Sequence, residues 1–170
     1  MNAVTNRIVF HGLTAGRVLL VVPMLLVILG CGGTELGTST QLVQRRGKIP
    51  FINDFAEGRR LAAEKGMPCL LFFTAQWCTF CHQMEETAFR DPLVAQMAEN
   101  FVCVIVDADR EPHVCQHYSV TGYPTIQFVS SRGSVLHRLV GRQTAPNLAH
   151  GMRAALKRFA WLSDAGTTIR

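Results

Sequence analysis

Cys78 and Cys81, three residues apart in the run Trp77-Cys78-Thr79-Phe80-Cys81, are the side chains of this sequence best suited to chemistry. They follow the apolar run Cys69-Leu70-Leu71-Phe72-Phe73-Thr74, which puts them where a buried strand gives way to a helix. The first thiol then lies at a helix N-terminus. Unpaired backbone N–H groups and the helix dipole favour thiolate over thiol there and make it the stronger nucleophile. The second thiol, one helical turn on, is close enough to close a disulfide.

Two other chemistries share these residues. Because His82 comes next, Cys78-x-x-Cys81-His82 satisfies the attachment pattern of haem c. Cytochromes c place that pattern in a mostly helical chain, whereas here a buried strand precedes it and a proline, a strand and a hairpin follow. Cys78 and Cys81 with His82 or Met84 also offer soft donors to copper or zinc, which would make the chain a metal carrier. Redox exchange needs neither a metal nor an organic cofactor, and it is the reading adopted.

The chain has 170 residues, 48% of them apolar, enough for one ordinary domain plus accessory segments. Its net charge is +5, but the basic residues from Arg45 to Arg170 are scattered and not interleaved with aromatics, so there is no nucleic-acid footprint. Six cysteines are too few for a disulfide scaffold in a chain of this length. Arg7 and Arg17 lead into the apolar run from Val18 to Leu29, which has signal-peptide length and falls short of the roughly 20 residues of a spanning helix. The run ends in Ile28-Leu29-Gly30-Cys31, which resembles the lipobox of bacterial lipoproteins, so Cys31 is the expected lipidation site and mature N-terminus. An uncleaved anchor is the alternative, and either version tethers the protein outside the cytoplasm. The expected organisation is a signal peptide over 1–31, a flexible tether over 32–48 rich in Gly, Thr, Ser and Gln, a folded domain over 49–162 and a polar tail over 163–170.

The elements that must position the cysteines are legible in outline. Asn53 or Asp54 caps a helix that runs to Lys65 and stops at Gly66. A strand runs from Pro68 to Thr74. The helix from Cys78 extends to Phe89, and Asp91-Pro92 restarts it as far as Asn100. Phe101 to Val106 reads as a strand covered on both faces, and Glu111 to Tyr118 as a short helix. Thr125 to Val129 and Val135 to Val140 form a hairpin, and a last helix starts at Thr144. Right-handed crossovers then make the central strands parallel, giving an α/β fold with a mixed sheet flanked by helices.

Phe73-Thr74-Ala75-Gln76-Trp77-Cys78-Thr79-Phe80-Cys81, Val106-Asp107-Ala108-Asp109, Val120-Thr121-Gly122-Tyr123-Pro124-Thr125 and Val140-Gly141 fall in an order and spacing that resemble the thioredoxin superfamily. The stretch from Cys81 to Pro92 is most similar to the C-terminal domain of the thiol:disulfide interchange (DsbD-type) proteins. The resemblance implies a thioredoxin fold and a thiol–disulfide oxidoreductase, with Cys78 attacking a partner disulfide and Cys81 resolving the mixed disulfide. It implies that Pro124 is a cis-proline opposite the disulfide, that Tyr123 beside it contacts the substrate, and that Trp77 packs against the site. Substituting Pro124 is then expected to slow release of mixed disulfides. Partners are protein thiols and disulfides, with a membrane or periplasmic electron donor, and reduction is the favoured direction.

One position departs from the family. Phe72 stands where relatives usually carry a buried acid, and Glu85, one turn beyond Cys81, matches an acidic residue of the interchange proteins and is the expected substitute. Cys69 and Cys103 read as inert buried thiols. Cys115 reads as a thiol open to solvent, without a partner.

Overall fold

The structure, a computed structural model, describes residues 42–167. The leader, Cys31, most of the expected tether and the last three residues lie outside the described part. The elements are β1 (Val43–Arg46), β2 (Ile49–Ile52), α1 (Phe55–Lys65), β3 (Cys69–Thr74), α2 (Thr79–Glu86), a 3-10 turn (Ala88–Arg90), α3 (Pro92–Ala98), β4 (Val102–Asp107), α4 (Pro112–His117), β5 (Thr125–Val129), β6 (Val135–Val140) and α5 (Ala145–Thr167).

Local chemistry accounts for most of the boundaries. The Asp54 carboxylate accepts the Glu57 N–H at the start of α1, and Gly66 ends the helix in the left-handed region that a side chain disfavours. Asp91 accepts the N–H groups of Leu93 and Val94, and Pro92 opens α3 where its missing N–H costs nothing.

The strands form one six-stranded sheet in the order β1-β2-β4-β3-β5-β6. β2, β4 and β3 are parallel, while β1–β2, β3–β5 and β5–β6 pair antiparallel. The expected mixed sheet flanked by helices is thus present. All six residues of β3 are buried, and alternation sends them to two cores. Leu70 and Phe72 join Phe51, Phe89, Ile105 and the apolar stripe of α5 on one face. Leu71 and Phe73 join Val104, Val106 and Tyr118 under α1 and α4 on the other.

Three segments differ from the sequence reading. β1 lies within residues 32–48, read as flexible tether: its residues are exposed or half-exposed at the sheet edge, so no apolar alternation announces the strand. Gly47 turns the chain between β1 and β2 at φ +59°, and a Cβ there would stand 2.6 Å from the Phe89 carbonyl oxygen and 2.7 Å from that of Glu85. With Lys48 N–H donating to the Phe89 carbonyl at 2.8 Å, the hairpin is seated on the end of α2. α2 itself stops at Glu86 because Thr87 leaves helical geometry, and the chain continues as the 3-10 turn. At the other end, α5 continues to Thr167 through residues expected as polar tail. Among the described residues no helix is long and apolar enough to cross a membrane.

Candidate redox centre

The end of β3 delivers Ala75, Gln76 and Trp77 to a tight turn closed by Cys78 N–H on the Ala75 carbonyl at 3.1 Å. Cys78 is the N-cap of α2, and its Sγ accepts the Cys81 N–H at 3.2 Å. The two cysteines form a disulfide with an S–S length of 2.03 Å and Cα atoms 5.3 Å apart. Cys78 is 5% exposed and Cys81 is fully buried, so what solvent exposure the pair has belongs to Cys78.

The loop that opens β5 comes to the same end of the sheet, beside Trp77. The Tyr123–Pro124 bond is cis. The Pro124 carbonyl accepts the Gly141 N–H at 2.8 Å, and the register Phe73↔Thr125 brings this loop to the same sheet end as Cys78. The Tyr123 ring meets Trp77 edge-on at 5.8 Å, and Trp77 Nε1–H donates to Asp109 at 3.4 Å while the indole stays 67% exposed. Behind Tyr123 lies Cys115. Read in the sequence as a thiol open to solvent, it is 5% exposed because α4 turns it towards the sheet, where Tyr123 packs against its cluster. Burial, reinforced by that contact, pushes the Tyr123 hydroxyl up to about 12, and burial pushes the Cys115 thiol up as well.

Phe72 is fully buried, with Phe89 edge-on at 4.9 Å, Phe51 at 5.9 Å and Ile105 paired on the neighbouring strand. Around Phe72, in the cluster that also holds Cys81, the core is therefore built from apolar side chains. Glu85 sits on the flank of α2 with its side chain 12% exposed, and Arg46 of β1 donates to its Oε2 at 3.1 Å. A pocket of about 150 Å³ joins these two with Thr74, Ala75, Gln76, His82 and Asp107. Sequence reasoning missed Arg46, since nothing local distinguishes it from the other basic residues of the presumed tether.

The remaining thiols stand apart. Cys69 and Cys103 lie on adjacent strands but belong to opposite cores, and burial raises both. The Cys69 sulfur takes a contact from the Arg59 guanidinium at 3.7 Å, and the Cys103 thiol donates to the Ala98 carbonyl at 3.7 Å. His82 Nε2 is 3.0 Å from the Gln76 carbonyl. Among the described residues no three His, Cys, Asp or Glu side chains are grouped to hold a metal ion.

Comparison with known proteins agrees with this arrangement. The thioredoxin-like domain family matches residues 55–156. The chain is 34% identical over 113 residues to the thiol:disulfide interchange protein DsbD of Vibrio vulnificus, a match that spans 62% of this chain and 19% of that protein's length. A thioredoxin from Thermus thermophilus, 26% identical, superposes with a TM-score of 0.58 over 63% of this chain and 87% of its own. The reduced C-terminal domain of DsbD from Neisseria meningitidis shares the fold at a TM-score of 0.52 and 23% identity, over 58% of this chain and 90% of its own. Its Cys78–Cys81 disulfide and its likeness to thiol:disulfide interchange proteins support thiol–disulfide oxidoreductase activity, and the chain belongs to the thioredoxin-like family.

Proposed function

We propose that this protein reduces disulfides of partner proteins outside the cytoplasm, held at the membrane by its N-terminal leader or by a lipid on Cys31. The observation that carries the reading is a disulfide placed at the start of α2, with Cys78 as the N-cap and the more exposed partner and Cys81 fully buried in the first turn. In the reduced form the Cys78 thiolate attacks a partner disulfide. The partner S–S bond breaks, one partner sulfur leaves and takes up a proton, and a mixed disulfide remains. The Cys81 thiol then gives up its proton and attacks Cys78 Sγ, releasing the second partner sulfur as a thiol. Two electrons and two protons pass from the dithiol to the partner, and a membrane or periplasmic donor restores the dithiol.

Backbone N–H groups at the start of α2 stabilise charge on Cys78 Sγ during this cycle. Trp77, Tyr123 and Pro124 form the rim against which the partner segment lies, and Glu85 handles the proton of Cys81 in place of an acid at Phe72. Likeness to the interchange proteins supports reduction as the direction, and the leader supports export.

Equilibration of the full chain with dithiothreitol and glutathione buffers tests the reading. A potential near thioredoxin's roughly −270 mV is expected, and one near −120 mV would make the protein an oxidant. Cys78→Ser should abolish reduction of protein disulfides, and Cys81→Ser should accumulate mixed disulfides. Failure of Cys81→Ser to trap any partner would remove the proposed order of attack.

A further inference from the structure

We propose that Arg46 is a positioning residue of the redox centre, acting on the Cys78–Cys81 pair through Glu85. The inference rests on the exchange reaction proposed above and assigns a part in it to a strand that precedes α1.

Glu85 Oε2 has two neighbours of opposite character. Arg46 donates to it at 3.1 Å, and His82 Nδ1 stands 4.0 Å away. His82 is itself oriented: a carbonyl oxygen only accepts, so Nε2 carries the hydrogen that Gln76 receives at 3.0 Å, and Nδ1 is left facing the carboxylate. Gln76 lies two residues before Cys78. When the imidazole is protonated, Nδ1–H faces Glu85 as well, and the contacts then run from β1 through Glu85 and His82 to the turn that presents Cys78. The Arg46 and Glu85 side chains are 25% and 12% exposed, which weakens solvent screening of their pairing relative to a surface ion pair.

Backbone contacts fix the geometry independently of the charges. Gly47 is pressed against the Glu85 and Phe89 carbonyls, and Lys48 N–H bonds Phe89. The guanidinium thus has a rigid base, and its Nε is buried without a protein partner, which leaves a donor free for a water molecule in the pocket beside α2. The charged and titratable groups that share this pocket with Glu85 are Arg46 from β1, His82 from α2 and Asp107 from β4. Only Arg46 carries a permanent positive charge. Without it, the negative charge of Glu85 stands uncompensated on the helix that carries both sulfurs and opposes thiolate formation.

The test is alkylation of Cys78 by iodoacetamide in the reduced full chain, followed by mass across a pH series. Arg46→Gln should alkylate about three- to tenfold more slowly near neutral pH, since one pKa unit is tenfold in thiolate. Arg46→Lys should restore the wild-type profile. In the Glu85→Gln background Arg46→Gln should change nothing further, and an equal shift there would reveal a direct field instead and overturn the proposal. An unchanged profile in Arg46→Gln would overturn it too. If Arg46→Gln shows no cooperative melt, Glu85→Gln alone decides: faster alkylation is expected, and an unchanged rate leaves Arg46 nothing to act through. Alkylation needs no partner protein, so it can succeed where disulfide reduction fails, and the two readings fall separately.

Discussion

Phe72 shows how far a single side chain can change the site without changing the fold. It lies in the same buried cluster as both cysteines and is held by Phe51, Phe89 and Ile105, side chains that offer a carboxylate no hydrogen bond. Phe72→Ala should cost about 3–5 kcal/mol by the transfer and cavity terms of a large buried aromatic. Phe72→Asp should cost at least as much, because it adds an unpaired buried acid. Urea unfolding of the oxidised protein measures both, and a loss below about 1 kcal/mol for Phe72→Asp would mean that this core admits water. The cysteine pair and Glu85 were visible in the sequence because motif spacing is local. The partner of Glu85 was not, because thirty-nine residues separate it from Arg46. Cys115 was misread for a related reason: a six-residue helix has no pattern long enough to say which of its sides faces the sheet.

At the scale of elements, what was legible was what capping controls. Asp54, Gly66 and Asp91-Pro92 mark α1 and α3 through side chains and φ angles that act within a turn. β1 was illegible because an exposed edge strand is defined by its pairing with β2, a tertiary event that leaves no apolar period in Val43-Gln44-Arg45-Arg46. α1 supplies a further test. Gly58 is buried where the helix crosses β4, and a Cβ there would overlap the Val104 side chain, so Gly58→Ala should destabilise by about 1–3 kcal/mol through overpacking. At Gly66 a Cβ meets nothing, and Gly66→Ala should cost only the left-handed backbone, about 1 kcal/mol. Thermal melts of the two variants should rank Gly58→Ala as the worse, and the reverse order would mean that α1 yields easily.

For the whole molecule, the two tyrosines give folding a dependence on alkaline pH. Burial raises Tyr118, and burial with the Cys115 contact raises Tyr123 to about 12, against an ordinary value of 10.0. A group whose folded-state pKa is raised contributes stability that is whole below its unfolded value and is lost as pH climbs through the folded one. The urea midpoint should therefore fall between pH 10 and about 12, and Tyr123→Phe should blunt that fall. A Tyr123→Phe protein with the same alkaline profile as wild type would place the loss elsewhere.

The separate burial of Cys69, Cys103 and Cys115 has a consequence for how the protein keeps its oxidation state. Cys69 and Cys103 are neighbours in the sheet, yet the sheet itself stands between their sulfurs, and Cys115 is shut behind Tyr123. None of the three can rearrange with the Cys78–Cys81 bond while the chain stays folded. Among the described residues, then, the chain has one redox variable with two values. No second sulfur pair among the described residues competes with that bond, and a mispaired isomer of these cysteines has no folded form in which to persist.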